Sequence, residues 1–305
     1  MPAMSEETKA ALGTLPEAAQ KELQGLLEKF GPRAYEPAAE PVEYETGGEI
    51  DTAVLVLHGI GGSGAKMEEG KFREGVQLDG FNSKKFFEAG GVKGARIVLP
   101  TASKTTAPRL LEFLKAGGVG DGVEPQISWV ESFKDFEDPK QGFDWAVPSY
   151  DSLAVEYVQS LIRKEIRRGI APNRVFVLCH SQGGSVGSRA VLTFDDAPLG
   201  GLIMLSAWHA SPDIAALTSE KQKSLPILCA HSPSDGIVAF PGVRDMCECF
   251  VEAVGKANFN GGGPIIEEDD NPAFVKYHAP FVPSMAKPVG DLIMKKEAAA
   301  PAAES

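Results

Sequence analysis

The sequence is poor in cysteine and has no long apolar run. Its 305 residues include four cysteines, and none of them forms a C-x-x-C pair, which argues against a disulfide framework. No stretch is long and apolar enough to cross a bilayer, and residues 1–13 lack the apolar core of a signal peptide. These absences predict reduced thiols, a cytoplasmic location and no stable membrane insertion.

Positive charge is also scarce. The chain carries 30 Lys and Arg against 42 Asp and Glu, a net charge of −12, and no Lys/Arg-rich run offsets it. Nucleic acid and anionic membrane surfaces are therefore excluded as expected partners. The apolar fraction of 43% is enough for a substantial core in one large domain or two small ones.

The composition divides the chain into three parts. Residues 1–48 combine an amphipathic helical pattern with a Pro-, Ala- and Glu-rich stretch, and predict an N-terminal helical extension and linker. The helix of that extension would either pack on the domain surface or bind a partner. Residues 49–296 predict the catalytic domain, and the Ala-rich residues 297–305 predict a disordered tail.

Apolar runs and helical patterns alternate through the central part. This alternation predicts an α/β fold with a mostly parallel sheet and helices on both faces. The predicted strands cover 52–57, 96–100, 174–178, 201–206, 226–230 and 273–277, and the predicted helices cover 149–168, 244–254 and 284–296.

Residues 101–147 show no clean period and contain many aromatic, Gly and Pro residues. A stretch of this length without a pattern is uncommon in a compact domain unless it has a function. Its aromatic side chains would either line an apolar substrate groove or cover the edge of the sheet. The sequence leaves both interpretations open.

The segment Cys179–Gly183 (CHSQG) resembles the G-x-S-x-G elbow, with Cys179 in place of the first glycine. An apolar strand pattern precedes it and small residues that can begin a helix follow it. A strand, a sharp turn and a helix would expose the Ser181 hydroxyl at the end of the sheet. Ser181 is therefore the predicted nucleophile.

A serine hydroxyl needs a base within hydrogen-bond reach, and the base needs an orienting acid. The elbow is typical of α/β-hydrolases, in which the acid and then the histidine follow the serine along the chain. His209, His231 and His278 follow Ser181. His278 comes after the last predicted strand, where the base is expected, and is the predicted general base.

The acid should follow the strand predicted at 226–230. Asp235 lies in the turn-rich loop directly after it and is the predicted acid, with Asp213 as the alternative. Taken alone, Asp235 would more often be a turn-forming residue. The order of the three groups favours the catalytic interpretation.

Two backbone N–H groups are needed to stabilise an oxyanion. One should come from Gln182, directly after the nucleophile. The other should come from the glycine-rich loop after the first strand, where Ile60 is the predicted donor and Gly61 a neighbouring substrate-binding residue. His58 and His180 flank these loops and are expected to brace them.

The same loop also spells G-x-G-x-x-G from Gly59 to Gly64, with Asp79 twenty residues after Gly59. This spacing raises a second hypothesis, a dinucleotide-binding domain. It lacks the apolar strand that should deliver the acidic residue, and it leaves Ser181 unexplained. A third hypothesis is a non-catalytic relative of a hydrolase that serves binding.

Several separated blocks resemble the acyl-protein thioesterase, carboxylesterase and lysophospholipase group of α/β-hydrolases. The resemblance covers about residues 50–295, and the run GIAPNRVFVLCHSQGGSVG at 169–187 is its most specific part. The blocks are LHGIGGSG (57–64), RIVLPTA (96–102), ISWVES (127–132), 169–187, GLIMLSAW (201–208) and PILCAHSPSDGIVAF (226–240).

The resemblance implies a Ser181–Asp235–His278 triad that cleaves carboxylic esters or thioesters through an acyl-enzyme, with no metal or organic cofactor. It implies that Trp129 lies near the acyl site. The substrate would be an acylated small molecule, lipid or protein.

Five positions depart from the family pattern. Cys179 and His180 replace Gly and Phe before the serine, Gly62 replaces an Asp, Ser232 replaces a Gly, and Tyr277 replaces the Gly before His278. These changes preserve the expected reaction type and leave the substrate open.

Overall fold

The structure is a computed structural model. It describes residues 35–73, 76–77, 82–105, 126–129, 152–207, 214–233, 235, 238, 240–263, 266–267 and 281–295. The elements described all lie in the unit Pro37–Ser305.

The described strands form one large sheet and two small two-stranded antiparallel sheets. The large sheet has the order β1-β5-β2-β8-β9-β10-β11, in which β1 runs antiparallel to β5 and the other neighbours are parallel. The small sheets pair β3 with β4 and β6 with β7. The strands are β1 Val42–Glu45, β2 Thr52–Leu57, β3 Lys71–Arg73, β4 Val76–Gln77, β5 Ala95–Leu99, β6 Ser103–Thr105, β7 Gln126–Ser128, β8 Val175–Ser181, β9 Gly201–Ala207, β10 Ile227–His231 and β11 Ile266–Glu267.

The α-helices in the described residues follow most of the parallel strands, as right-handed crossovers require. They are α1 Gly64–Glu69, α2 Ser83–Ala89, α3 Ser152–Arg167, α4 Gly183–Leu192, α5 Ile214–Leu217, α6 Phe240–Val254 and α7 Pro283–Met294. The described residues also include four single 3-10 turns in the connections between helices and strands. They are Pro172–Arg174, Glu220–Gln222, Lys256–Asn258 and Asn260–Gly262.

Helices cover both faces of the sheet, which is why the central strands are apolar along their whole length. Alternate residues of a strand point to opposite faces. One face packs with α1, α2 and α7 in a single buried cluster that includes Val54 and Phe87. On the other face, Cys229 of β10 contacts Cys247 of α6, with 3.4 Å between the sulfur atoms. The predicted mostly parallel sheet between two helical layers is confirmed.

The strands predicted at 52–57, 96–100, 174–178, 201–206 and 226–230 are present, each starting within one residue of its expected position. Continuous apolar runs are strong signals for buried parallel strands, which explains this agreement. The predicted N-terminal helix, the strand at 273–277 and the tail at 297–305 lie outside the described residues. Helices α1 and α2, which the sequence analysis missed, are each capped by a side chain, Ser63 and Asn82 respectively.

The linker prediction is corrected at Val42–Glu45, because these residues form the edge strand β1. Its residues alternate between half-buried and exposed, the period of a strand with one covered face. Lys164 Nζ and Arg168 Nη1 of the α3 region both donate to the Glu43 carboxylate at 2.8 Å. The alternating sequence VEYE was the signal for this strand.

Candidate active site

Ser181 is the last residue of β8 and lies at a sharp junction with α4. Its φ of 50° is in the left-handed region, which a residue other than glycine rarely adopts. Gln182 is the N-cap of α4, and the helix starts at Gly183. The predicted sequence of strand, turn and helix is therefore present around Ser181, and backbone strain of this kind is concentrated at functional sites.

The glycine-rich loop after β2 packs directly against this serine. A Cβ atom added at Gly59 would lie 2.8 Å from Ser181 Cβ and 3.2 Å from Ser181 Oγ, so only glycine fits there. A Cβ atom at Gly64 would lie 2.0 Å from the Leu99 carbonyl oxygen. Close packing thus accounts for the first and third glycines of the G-x-G-x-x-G pattern without a bound nucleotide.

Cys179 occupies the position of the usual elbow glycine and is fully buried beneath α4. A Cβ atom added at Gly187 would lie 2.3 Å from Cys179 Sγ. Gly187 of α4 has no side chain and leaves space for Cys179 Sγ of β8. Helix α4 can therefore lie as close to β8 as a glycine at position 179 would allow. The departure from the family pattern is compensated eight residues further along the chain, in the second turn of α4.

The two predicted oxyanion donors have no hydrogen-bond acceptor among the described residues. The backbone N–H groups of Ile60 and Gln182 lie in segments that meet at Ser181. Neither donates to a carbonyl or a side chain among the described residues. Gly61 differs, because its N–H donates to the Ile127 carbonyl at 2.8 Å. Of these two neighbours, Ile60 is thus the one whose N–H has no acceptor among the described residues.

His58 braces the loop from below, as the sequence indicated. Its Nε2 accepts the Ala102 N–H at 3.0 Å, and its Nδ1 lies 2.6 Å from the Gly59 carbonyl oxygen. This pair of contacts requires a neutral ring with the proton on Nδ1. Burial lowers the pKa of His58 to about 4, so the ring stays neutral at pH 7.

Trp129 lies beneath the loop and has no exposed surface. Its indole Nε1 donates to the His58 carbonyl at 2.8 Å, and its backbone N–H donates to Gln182 Oε1 at 2.9 Å. This placement differs from the expected contact between Trp129 and the acyl group, because a fully buried ring offers no surface to a substrate. Its neighbour Ser128, which the sequence analysis did not select, also bonds to the Gln182 amide.

Asp235 is buried in the loop after β10. Its Oδ1 accepts the Val238 N–H at 2.9 Å, the turn-forming contact expected of an Asp in this setting. Its Oδ2 faces His231 Nε2 at 3.4 Å, and that nitrogen is also 2.8 Å from the Val238 carbonyl oxygen. His231 therefore fixes the loop that carries Asp235, a role that the sequence analysis did not assign to it.

The topology brings Ser181 and Asp235 to the same end of the sheet, where the parallel strands have their carboxyl ends. Ser181 ends β8 and Asp235 follows β10, and both strands run parallel to β9 between them. Two strand spacings separate the ends of β8 and β10 by roughly 10 Å. His278, His209 and Asp213 lie outside the described residues, so His278 stays a prediction.

No helix in the described part of the chain is both long and apolar enough to span a bilayer.

Comparison with known proteins supports the resemblance expected from the sequence. Residues 151–260 match the family model described as Phospholipase/Carboxylesterase. The chain is 34% identical over 109 residues to carboxylesterase SOBER1 of Arabidopsis thaliana, covering 34% of this chain and 47% of that protein. It is 32% identical over 84 residues to acyl-protein thioesterase 1 of Cryptococcus neoformans, covering 27% of this chain and 35% of that protein.

Among solved structures, the chain is similar to a variant of Arabidopsis thaliana SOBER1, with a TM-score of 0.56 and 23% identity. This alignment covers 79% of the chain and 98% of that structure. The predicted α/β-hydrolase fold is confirmed. The predicted resemblance to carboxylesterases and acyl-protein thioesterases is confirmed as well, although the aligned sequences span only about a third to a half of these curated relatives.

Proposed function

We propose that this protein is a serine hydrolase that cleaves carboxylic esters or thioesters through an acyl-enzyme. The observation that carries the proposal is the geometry at Ser181, which is held at a φ of 50° between β8 and α4. Two N–H groups without a described acceptor flank it, those of Ile60 and Gln182. A strained serine beside two such donors is what acyl transfer requires.

Each residue then has one role in the reaction. Ser181 Oγ attacks the acyl carbon while His278 takes its proton, and the carbonyl oxygen becomes an oxyanion held by the Ile60 and Gln182 N–H groups. The C–O or C–S bond breaks as His278 returns the proton to the leaving alcohol or thiol. Water repeats the sequence on the acyl-enzyme and releases the acid. Asp235 orients the imidazole and stabilises its charged form.

The substrate class follows from the relatives. Their names describe carboxylesterases and an acyl-protein thioesterase, so we propose an acylated small molecule, lipid or protein as the substrate. Neither a metal nor an organic cofactor takes part in the proposed steps, because the oxyanion is stabilised by backbone N–H groups.

We also propose a cytoplasmic location. None of the four cysteines forms a C-x-x-C pair, and three of them are buried. This pattern supports reduced thiols in a reducing compartment rather than a disulfide framework.

The test compares the wild type with Ser181→Ala. We expect kcat for p-nitrophenyl esters and acyl-thioesters to fall by about 10⁴-fold or more, because no other group can form the acyl-enzyme. Ser188→Ala is the matched control, since it removes another buried hydroxyl of this region, one that donates to the Gly184 carbonyl at 2.6 Å. Full turnover in Ser181→Ala would remove this serine from the mechanism.

A fluorophosphonate probe separates the enzyme from a non-catalytic binding protein. Ser181 Oγ would form a bond to phosphorus, fluoride would leave, and the hydroxyl proton would pass to the base. Mass spectrometry should then find the phosphonyl group on the peptide that contains Ser181. Absence of this adduct at high probe concentration would favour the binding protein.

A further inference from the structure

The two loops that would form the oxyanion hole are joined through a single buried residue, Trp129. Trp129 Nε1 donates to the His58 carbonyl at 2.8 Å, two residues before Ile60. The Trp129 backbone N–H donates to Gln182 Oε1 at 2.9 Å. One residue thus contacts both the loop of the first proposed donor and the residue that supplies the second.

Two further hydrogen bonds complete this connection. Gln182 Nε2 donates to Ser128 Oγ at 2.9 Å, which fixes the orientation of the amide group. The Gly61 N–H donates to the Ile127 carbonyl at 2.8 Å. Ile60 therefore lies between two residues, His58 and Gly61, whose backbone is tied to the segment 127–129.

These contacts are buried away from water. Ser128, Trp129 and Gln182 are 0% exposed, and His58 is 1% exposed. Hydrogen bonds in such surroundings are stronger than in water, and breaking one leaves a buried polar group without a partner, which is costly in free energy. The arrangement is therefore stiff before any substrate arrives, as preorganised electrostatic stabilisation requires.

We propose that Trp129 is a positioning residue that sets the spacing and direction of the Ile60 and Gln182 N–H groups toward a developing oxyanion. This inference rests on the proposed hydrolase function and assigns a role that direct contact with the substrate cannot provide, since the ring is fully buried. Ser128 supports the same arrangement through the Gln182 amide.

The test uses Trp129→Phe, which keeps an aromatic ring but removes the Nε1 donor to the His58 carbonyl. We expect kcat to fall by roughly 10- to 100-fold with KM nearly unchanged. This is less than the 10²–10³ expected for complete loss of one oxyanion donor. Thr218→Val is the control, because it also removes a buried side-chain donor to a backbone carbonyl, in this case the hydroxyl that donates to the Ile214 carbonyl at 2.7 Å.

A transition-state analogue provides the readout that separates positioning from general destabilisation. An alkyl trifluoromethyl ketone gains a bond from Ser181 Oγ to its carbonyl carbon, its C=O becomes an alkoxide in the oxyanion hole, and the serine proton passes to the base. Its Ki should rise in Trp129→Phe by the same factor as kcat/KM falls, while the Ki of a planar, unreactive amide analogue stays constant.

The outcomes distinguish this inference from the function on which it rests. If Ser181→Ala abolishes turnover but Trp129→Phe leaves both kcat and the ketone Ki unchanged, the hydrolase function stands and the positioning role is refuted. If Ser181→Ala keeps its turnover, the proposed function fails first. Should Trp129→Phe not fold, Ser128→Ala takes its place: a smaller fall in kcat at constant KM supports the inference, and an unchanged kcat overturns it.

Discussion

Acidification should destabilise this fold through His58, whose imidazole is buried below the glycine-rich loop. Burial lowers its pKa from 6.5 to about 4, against an opposing effect of the Gly59 carbonyl and with a further lowering by the charge of Lys66. The folded protein keeps this ring neutral at pH values where the unfolded chain protonates it. Between pH 6.5 and 4 the unfolded state therefore binds more protons, and the free energy of unfolding falls as the pH is lowered.

The size of the effect follows from the shift. One pKa unit corresponds to about 1.36 kcal/mol, so protonation of the unfolded chain removes about 1.4 kcal/mol of stability at pH 5.5 and about 3 kcal/mol at pH 4. Above pH 7 both states carry a neutral His58 and the contribution to stability is fully present.

Urea denaturation of the wild type and of His58→Gln at pH 7.5 and pH 5.5 measures this contribution. Glutamine can still accept the Ala102 N–H through its side-chain oxygen but does not titrate. We expect the wild type to lose about 1.4 kcal/mol more than the variant between the two pH values, at unchanged m-values. Equal losses in both proteins would show that His58 is not held neutral by burial, and would refute the reasoning.

Two other predictions concern the cysteines. Gly187→Ala should destabilise the protein by about 1–3 kcal/mol despite the better helix propensity of alanine, because the new methyl group meets Cys179 Sγ. Adding Cys179→Gly to the same chain should restore part of the lost stability. Urea denaturation that showed the two substitutions to have additive effects on the free energy of unfolding would contradict this packing. Cys249 is the only cysteine of the four that is not buried, so a thiol reagent should modify it first in the native protein. Because burial and nearby acidic residues raise the pKa of Cys249, it should react more slowly than a free thiol at pH 7. Mass spectrometry that found another cysteine modified equally fast would contradict the predicted order.

The surroundings of Ser181 show which features could be predicted from the sequence and which could not. The strand before Ser181 and the helix after it are local patterns, and both were readable from a few consecutive residues. The roles of Gly59 and Trp129 were not, because each depends on contact with residues more than fifty positions away. Trp129 was predicted to lie near the acyl site, which stays a prediction, and the structure shows its ring buried beneath the glycine-rich loop.

The edge strand β1 and Asp235 also show the difference between local sequence patterns and contacts that depend on the tertiary structure. The alternating residues of Val42–Glu45 carried a strand signal that the surrounding Pro and Ala residues obscured. Asp235 was predicted to be the acid from its order along the chain, and that role stays a prediction, whereas its contacts with Val238 and His231 depend on how the loop after β10 folds back.

By itself, the amino-acid sequence determined the class of fold and the order of its central strands along the chain, because continuous apolar runs of strand length are typical of buried strands and a sharp turn needs small residues. Only the tertiary structure decided the spatial order β2-β8-β9-β10, the pairing of Cys179 with Gly187, and the hydrogen bonds that join the Ile60 and Gln182 loops through Trp129. These features arise from close packing between segments distant in sequence, and no local pattern records which partner a buried polar group will find.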